Sequence, residues 1–269
     1  MMNSYAFPAQ FPCYILSMID TPFTRNFGLK HAIALAPEPG FAPGALAAAV
    51  AEAGGLGLIG CGAQSADWIA QEFAATGEIA VGCGLSCRAV DNSPARLAAA
   101  FAGRPRAIYL HDGDPRTHAQ ALHDARVRLI CEVRTPDAAN RAAEADAHEI
   151  VARGTDAAGQ AAPRTMFNLV PELADFIRCE AVDMILLAYG GVVDSRTLAA
   201  VIALGADGAM MSSRLLASSQ ARGVLGSGPH PSSQGGALLK DAPVIADILD
   251  QITRRTEKVL SHSIRAVIK

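Results

Sequence analysis

Short apolar runs recur along this chain, each ending in small or polar residues and each separated from the next by a stretch with helical spacing. The runs are Ile33–Ala36, Leu56–Ile59, Ile79–Cys83, Ala107–Leu110, Val127–Val133, one centred on Ile150–Ala152, Met184–Ala188 and Gly208–Met211. Helices are predicted between them, over 43–53, 65–76, 93–102, 115–125, 135–145, 169–177 and 195–204. Pro43 and Pro136 suit first helical turns, Ser65 and Thr135 suit caps, and Gly54–Gly55 stops the first of these helices. Short apolar strands alternating with helices in this number form the pattern of a (β/α)8 TIM barrel, with a doubly wound open sheet as the alternative. Gly55, Gly57 and Gly60 satisfy GxGxxG, but they begin before a strand and run through it. A dinucleotide fingerprint follows a strand and opens a helix instead.

Around this barrel (24–222) the pattern leaves an irregular, proline-bearing N-terminal arm (1–23). It also leaves a C-terminal segment (223–269), with a Gly/Ser/Pro loop and then an amphipathic helix from about Pro243 to Lys258, extendable to Ile268. The apolar stripe of that helix covers either the barrel or a neighbouring subunit of a homo-oligomer.

Composition narrows the function classes. With 269 residues, 51% of them hydrophobic, the chain can bury a large core. A net charge of −3 and the absence of a Lys/Arg run argue against a nucleic-acid partner. No apolar stretch reaches transmembrane length, and Met1–Cys13 lacks the basic start and apolar core of a signal peptide, so a cytoplasmic protein with no membrane partner is expected. Six cysteines without a CxxC pair read as buried fillers. His118 and His123 lie five apart on a helix, not on one face, so no metal site is expected.

On a barrel the chemistry sits at the C-terminal ends of the strands. That singles out Pro37–Glu38, Cys61, Gly84, His111, Arg134, Asp156–Gln160, Gly190–Gly191 and Ser212–Ser213. Strands seven and eight both end in small residues followed by a helix start. Two such turns side by side aim bare backbone N–H groups at one point and make a phosphate cradle without a lysine; the plainer reading is a pair of tight turns. His111 reads either as a hydrogen-bonded structural residue or as an acid/base group, Asp112 and Asp114 as turn and cap residues or, as the alternative, an acid/base pair, and Arg134 as a cation facing an anionic ligand.

Several segments together resemble the 2-nitropropane dioxygenase/nitronate monooxygenase family, over about residues 24–220. They are Gly28-Leu-Lys30 with Ala36-Pro37, Leu46-Ala-Ala-Ala-Val50 followed by Ala53-Gly-Gly-Leu-Gly57, Ala188-Tyr-Gly190-Gly191, and Ala203-Leu-Gly205-Ala-Asp207-Gly208. The resemblance implies an FMN-dependent barrel related to flavin-dependent enoyl reductases. It would act on a small nitronate or an enoyl or carbonyl compound, with NAD(P)H or oxygen as the redox partner. It puts the FMN phosphate on Gly190, Gly191, Ser212 and Ser213 and the flavin ring beside Ala36, Pro37, Glu38 and Gly84, with Ala158 and Gly159 nearby; Arg134, from its strand-end position, is the cation that would neutralise an anionic substrate or reduced flavin. The family's catalytic histidine corresponds to Gln160, which can hydrogen-bond a substrate but cannot take a proton at neutral pH; Gln160 and His111 are the catalytic candidates. Glu38 stands where the family has methionine, Gly84 where it has asparagine, and Ser212-Ser213 where it has Gly-Thr. These departures keep two alternatives open: a flavin- or ligand-binding barrel without redox catalysis, and a flavin-free phosphate-binding barrel enzyme.

Overall fold

A computed structural model describes residues 19–157, 163–180, 183–225 and 234–267. Eight strands follow in chain order: β1 (Ile33–Leu35), β2 (Leu58–Gly62), β3 (Gly82–Ser86), β4 (Ala107–His111), β5 (Arg128–Val133), β6 (Glu149–Arg153), β7 (Ile185–Tyr189) and β8 (Gly208–Met211). They pair in the order β1-β8-β7-β6-β5-β4-β3-β2, every pair parallel. The ring closes between β1 and Leu56, just ahead of β2, where Leu35 N donates to Leu56 O at 2.8 Å and Leu56 N to Ile33 O at 3.0 Å. The fold is a (β/α)8 TIM barrel, as the alternation of runs predicts.

The strands read as continuous apolar runs because helices cover the outside while packed side chains fill the inside, so both strand faces are buried. Ser65 and Thr135 cap their helices through their hydroxyls, and Asp194 caps the helix Ser195–Ala203 with a capping box. The tail helix Ile245–Val267 buries Ile245, Ile248, Leu249 and Ile252 against the barrel, and its Thr256 Oγ1 donates to Ser195 O at 3.1 Å. Among the described residues no helix is long and apolar enough to cross a membrane. Cys61, Cys83, Cys87 and Cys131 are buried free thiols, and Cys179 is exposed.

Two expectations shift. The third strand starts at Gly82, not Ile79, and runs through Gly84 to Ser86. Its glycines serve the interior instead of a turn: a Cβ on Gly82 would lie 2.5 Å from Ala107 O, and one on Gly84 2.6 Å from Pro37. Across the end of the arm, whose residues 1–18 lie outside the described residues, Pro22–Phe27 is a helix, capped by Thr21 and ended by Gly28 in the left-handed region. That short helix closes the N-terminal end of the barrel. Phe23 and Phe27 are buried there, and Thr21 Oγ1 donates to Asp207 O at 2.7 Å, just ahead of β8.

Candidate active site

The C-terminal mouth is built from the inward-facing positions at the strand ends. Tyr109 and His111 come from β4, Glu132 from β5, Arg153 from β6 and Tyr189 from β7. Together with Pro37, Glu38 and Pro39 from the turn after β1, they line a cavity of about 30 Å³. That is room for a water or two, far below the ~300 Å³ at which ordinary small-molecule clefts begin.

Glycines explain how the first turn reaches the centre. A Cβ on Gly60 would lie 2.3 Å from Glu38 O, and one on Gly84 would meet Pro37 at 2.6 Å and Tyr109 at 3.3 Å. Bare positions on β2 and β3 therefore let Pro37–Glu38 lean across the mouth. Backbone bonds pin the turn: Glu38 N donates to Ala36 O at 2.8 Å, and Phe41 N and Ala42 N both donate to Glu38 O at 3.0 Å. From there the Glu38 side chain accepts a hydrogen bond from the Tyr189 hydroxyl.

Glu132 is the electrostatic centre. Its side chain is 4% exposed and accepts from three donors: Tyr109 Oη at 2.5 Å, Arg153 Nη1 at 2.8 Å and Arg134 Nε at 2.9 Å. Burial pushes its pKa up, but Arg153, the Tyr109 hydroxyl and Arg134 outweigh that and hold the carboxyl below the usual range. Burial raises both tyrosines, with Glu132 adding to the effect at Tyr109 and Glu38 at Tyr189. Burial also lowers His111, against the opposing pull of Glu132, so the imidazole is neutral at pH 7. The mouth thus holds two carboxylates against two guanidiniums, with hydroxyl and imidazole groups between them.

At the β7/β8 rim the two strands run side by side, Tyr189 opposite Met210. Gly190 and Gly191 follow β7 with φ of 133° and 66°, and a Cβ on Gly190 would lie 2.7 Å from Ala157 N. Ser212 and Ser213, both buried, follow β8, with Ser213 opening the four-residue helix Ser213–Leu216. Asp156 faces Gly191 and accepts from Met166 N at 3.2 Å, at the start of the helix Met166–Cys179.

Most of the residues singled out in the sequence therefore gather at one end. Pro37, Glu38 and His111 line the mouth, Arg134 reaches it through Glu132, Ala36 is buried just before that turn, Gly84 lies beneath Pro37, and Gly190, Gly191, Ser212 and Ser213 form the rim. Arg134 is committed to Glu132 and does not stand as an open cation. Ala158, Gly159 and Gln160 lie outside the described residues. Asp112, at φ 54°, accepts from Ser86 Oγ, and Asp114 accepts from Arg116 N, as turn and cap residues do. The sequence reading missed Tyr109, Glu132, Arg153 and Tyr189. A usable signal was there: Glu132 and Arg153 are charges within or at the end of apolar strand runs, and a charge in a barrel strand with two buried faces needs a partner.

Residues 84–224, just over half of the chain, match the family model "Nitronate monooxygenase". A nitronate monooxygenase of Neurospora crassa is 28% identical over 72% of this chain, and one of Pseudomonas aeruginosa is 29% identical over 70%. The aligned region spans 61% and 67% of those proteins' own lengths. Among solved structures, a FabK mutant (M276A) from Thermotoga maritima superposes with a TM-score of 0.82 at 20% identity, over 93% of this chain and 100% of that one. A nitroalkane oxidase from Streptomyces ansochromogenes does so with 0.72 at 19%, over 86% and 98%. Likeness at that identity speaks to the fold alone, whereas the family match rests on sequence. The chain belongs to the nitronate monooxygenase family.

Proposed function

We propose that this chain is an FMN-dependent oxidoreductase acting on a small nitronate or on an enoyl or carbonyl compound. The observation that carries the reading is the rim. Two adjacent parallel strands of a family barrel end side by side in Gly190–Gly191 and Ser212–Ser213, the backbone-rich arrangement that suits a phosphate. The FMN phosphate would be held there, and the flavin would supply the electron transfer. The protein's own part is position and electrostatics. His111, neutral and at the mouth, has a nitrogen lone pair able to accept a proton from a substrate. Arg134 and Arg153 keep Glu132 ionised, so negative charge is already balanced inside the mouth.

The two ends of the proposed site fit the cofactor differently. The rim is bare backbone and small side chains and fits a phosphate. The mouth, with its cavity of about 30 Å³ and the Glu38–Tyr189 contact, does not fit a three-ring system. That mismatch favours a second reading, a barrel that binds a phosphorylated ligand without flavin chemistry. Titration of the purified protein with FMN separates the two. The flavoenzyme reading expects uptake with a flavin absorbance band that dithionite bleaches, and expects Ser213→Asp to abolish uptake by placing a carboxylate at the phosphate position. A protein that takes up no FMN but binds inorganic phosphate at the same serine supports the second reading.

A further inference from the structure

The mismatch at the mouth has a specific cause. In the barrel β8 lies between β1 and β7. The Glu38–Tyr189 hydrogen bond joins the turn after β1 to the end of β7, so it passes over the end of β8, where Ser212 and Ser213 sit. The Ser212 side chain lies close to the Tyr189 hydroxyl there. A group anchored by phosphate at Gly190, Gly191, Ser212 and Ser213 cannot extend toward Pro37 and the strand ends without crossing this bridge.

The mobile and the fixed parts of the bridge are distinct. The Glu38 backbone is pinned by three hydrogen bonds and rests on Gly60, so only its side chain can swing. The Tyr189 ring stacks under the Arg153 guanidinium, 5.3 Å from its centroid, and Arg153 is anchored on Glu132. The stacked Tyr189 ring is held with Glu132, Arg153 and Tyr109, so the bridge opens first through the Glu38 side chain.

We infer that Glu38 and Tyr189 form a latch that decides what the mouth admits: shut, it excludes a planar ring, and a ring-bearing phosphate ligand binds only after the two side chains part. This rests on the flavin reading of the rim and adds to it which residues oppose the ring. The binding-competent form is then a fraction of the population, and apparent affinity for any ring ligand is reduced by that fraction. A hydrogen bond to a charged group is the size of obstacle expected, so its removal should tighten ring binding by about 10- to 100-fold.

The test is titration of FMN and of riboflavin, followed by quenching of flavin fluorescence, with the full chain and with Glu38→Ala, Tyr189→Ala and Tyr189→Phe, each checked for folding by far-UV circular dichroism. Glu38→Ala and Tyr189→Ala should bind both flavins about 10- to 100-fold more tightly than the unmodified chain, and Tyr189→Phe should fall between. Because the latch opposes the ring, riboflavin should gain as much as FMN, while competition by inorganic phosphate should be unchanged. Glu38→Ala and Tyr189→Ala attack the bridge from its two sides, the turn after β1 and the end of β7, so either one that folds gives an answer. FMN binding that is equal or weaker in the folded variants overturns the latch and leaves the flavin reading standing. Absence of FMN binding in every form overturns both.

Discussion

The two ends of this barrel are closed by the same chemistry with opposite electrostatic results. At the C-terminal mouth Glu132 sits among Tyr109, Arg134 and Arg153, and its pKa lies below the ordinary range. At the N-terminal end Glu149, 0% exposed, has among the described residues Arg128 alone, which bonds one carboxylate oxygen; the other, Oε2, has no partner among them. Burial there dominates and raises Glu149 to about 7. Arg128 is itself shared with the ring of Phe27, 5.1 Å away, and Arg106 approaches the same ring at 5.6 Å. Burial is near complete for both carboxylates, so depth does not separate them. The number of donors reaching the carboxylate does. The mouth keeps its charge and its water-sized space, while the base tends toward a neutral plug.

The comparison can be broken most forcefully at the base. Arg128→Ala strands Glu149 and should lower unfolding stability by about 3 kcal/mol at pH 8. The loss should be much smaller at pH 5.5, where Glu149 holds its proton; equal losses in urea melts at the two pH values would refute the charge account. The unmodified chain should show the same group in its own pH dependence. Glu149 has a folded pKa of about 7, above its unfolded value of about 4.3. The unfolded chain therefore releases this proton first, and stability falls as pH rises through that window. Between pH 5.5 and 8 Glu149 should account for about 2 kcal/mol of that fall, and Glu149→Gln should remove it. Glu132, with its lowered pKa, has the reverse sign: its contribution is present above the unfolded carboxyl pKa and is lost as pH falls through the folded one.

At the mouth the expected effects are smaller. Gly84→Ala puts a Cβ 2.6 Å from Pro37 and should cost about 1–2 kcal/mol by thermal or chemical denaturation. It should also lift the Glu38 turn and speed hydrogen exchange at the Phe41 and Ala42 amides, which donate to Glu38 O. Unchanged exchange would mean the turn does not depend on that bare position. Tyr109→Phe removes one of three donors to Glu132 and should cost about 1 kcal/mol, with no new pH dependence between 5.5 and 8. A loss as large as that of Arg128→Ala would show that the mouth carboxylate is not over-supplied with donors.

Much of the candidate site was legible because its parts are strand ends. His111, Arg134, Gly190–Gly191 and Ser212–Ser213 close apolar runs, and in a parallel barrel all such positions face one side. Gly84 was found too, but with another meaning. It stands inside β3 as the seat of Pro37, a role set by a turn 47 positions earlier in the sequence. Tyr189 was quoted only as part of a family segment, since a tyrosine after an apolar run looks like core. Its partner Glu38 is 151 residues away, and no local spacing pairs them.

The order and period of the apolar runs, with their caps and glycine stops, were enough to determine eight strands, parallel pairing and the end at which the candidate residues gather. Those properties follow from local propensity and from the burial of both strand faces. Which charges meet was decided only by closure of the barrel. Glu132 with Arg153, Glu149 with Arg128 and Glu38 with Tyr189 each join different strands or turns, and the balance of burial against donors that sets their charge exists only once those elements surround a common axis.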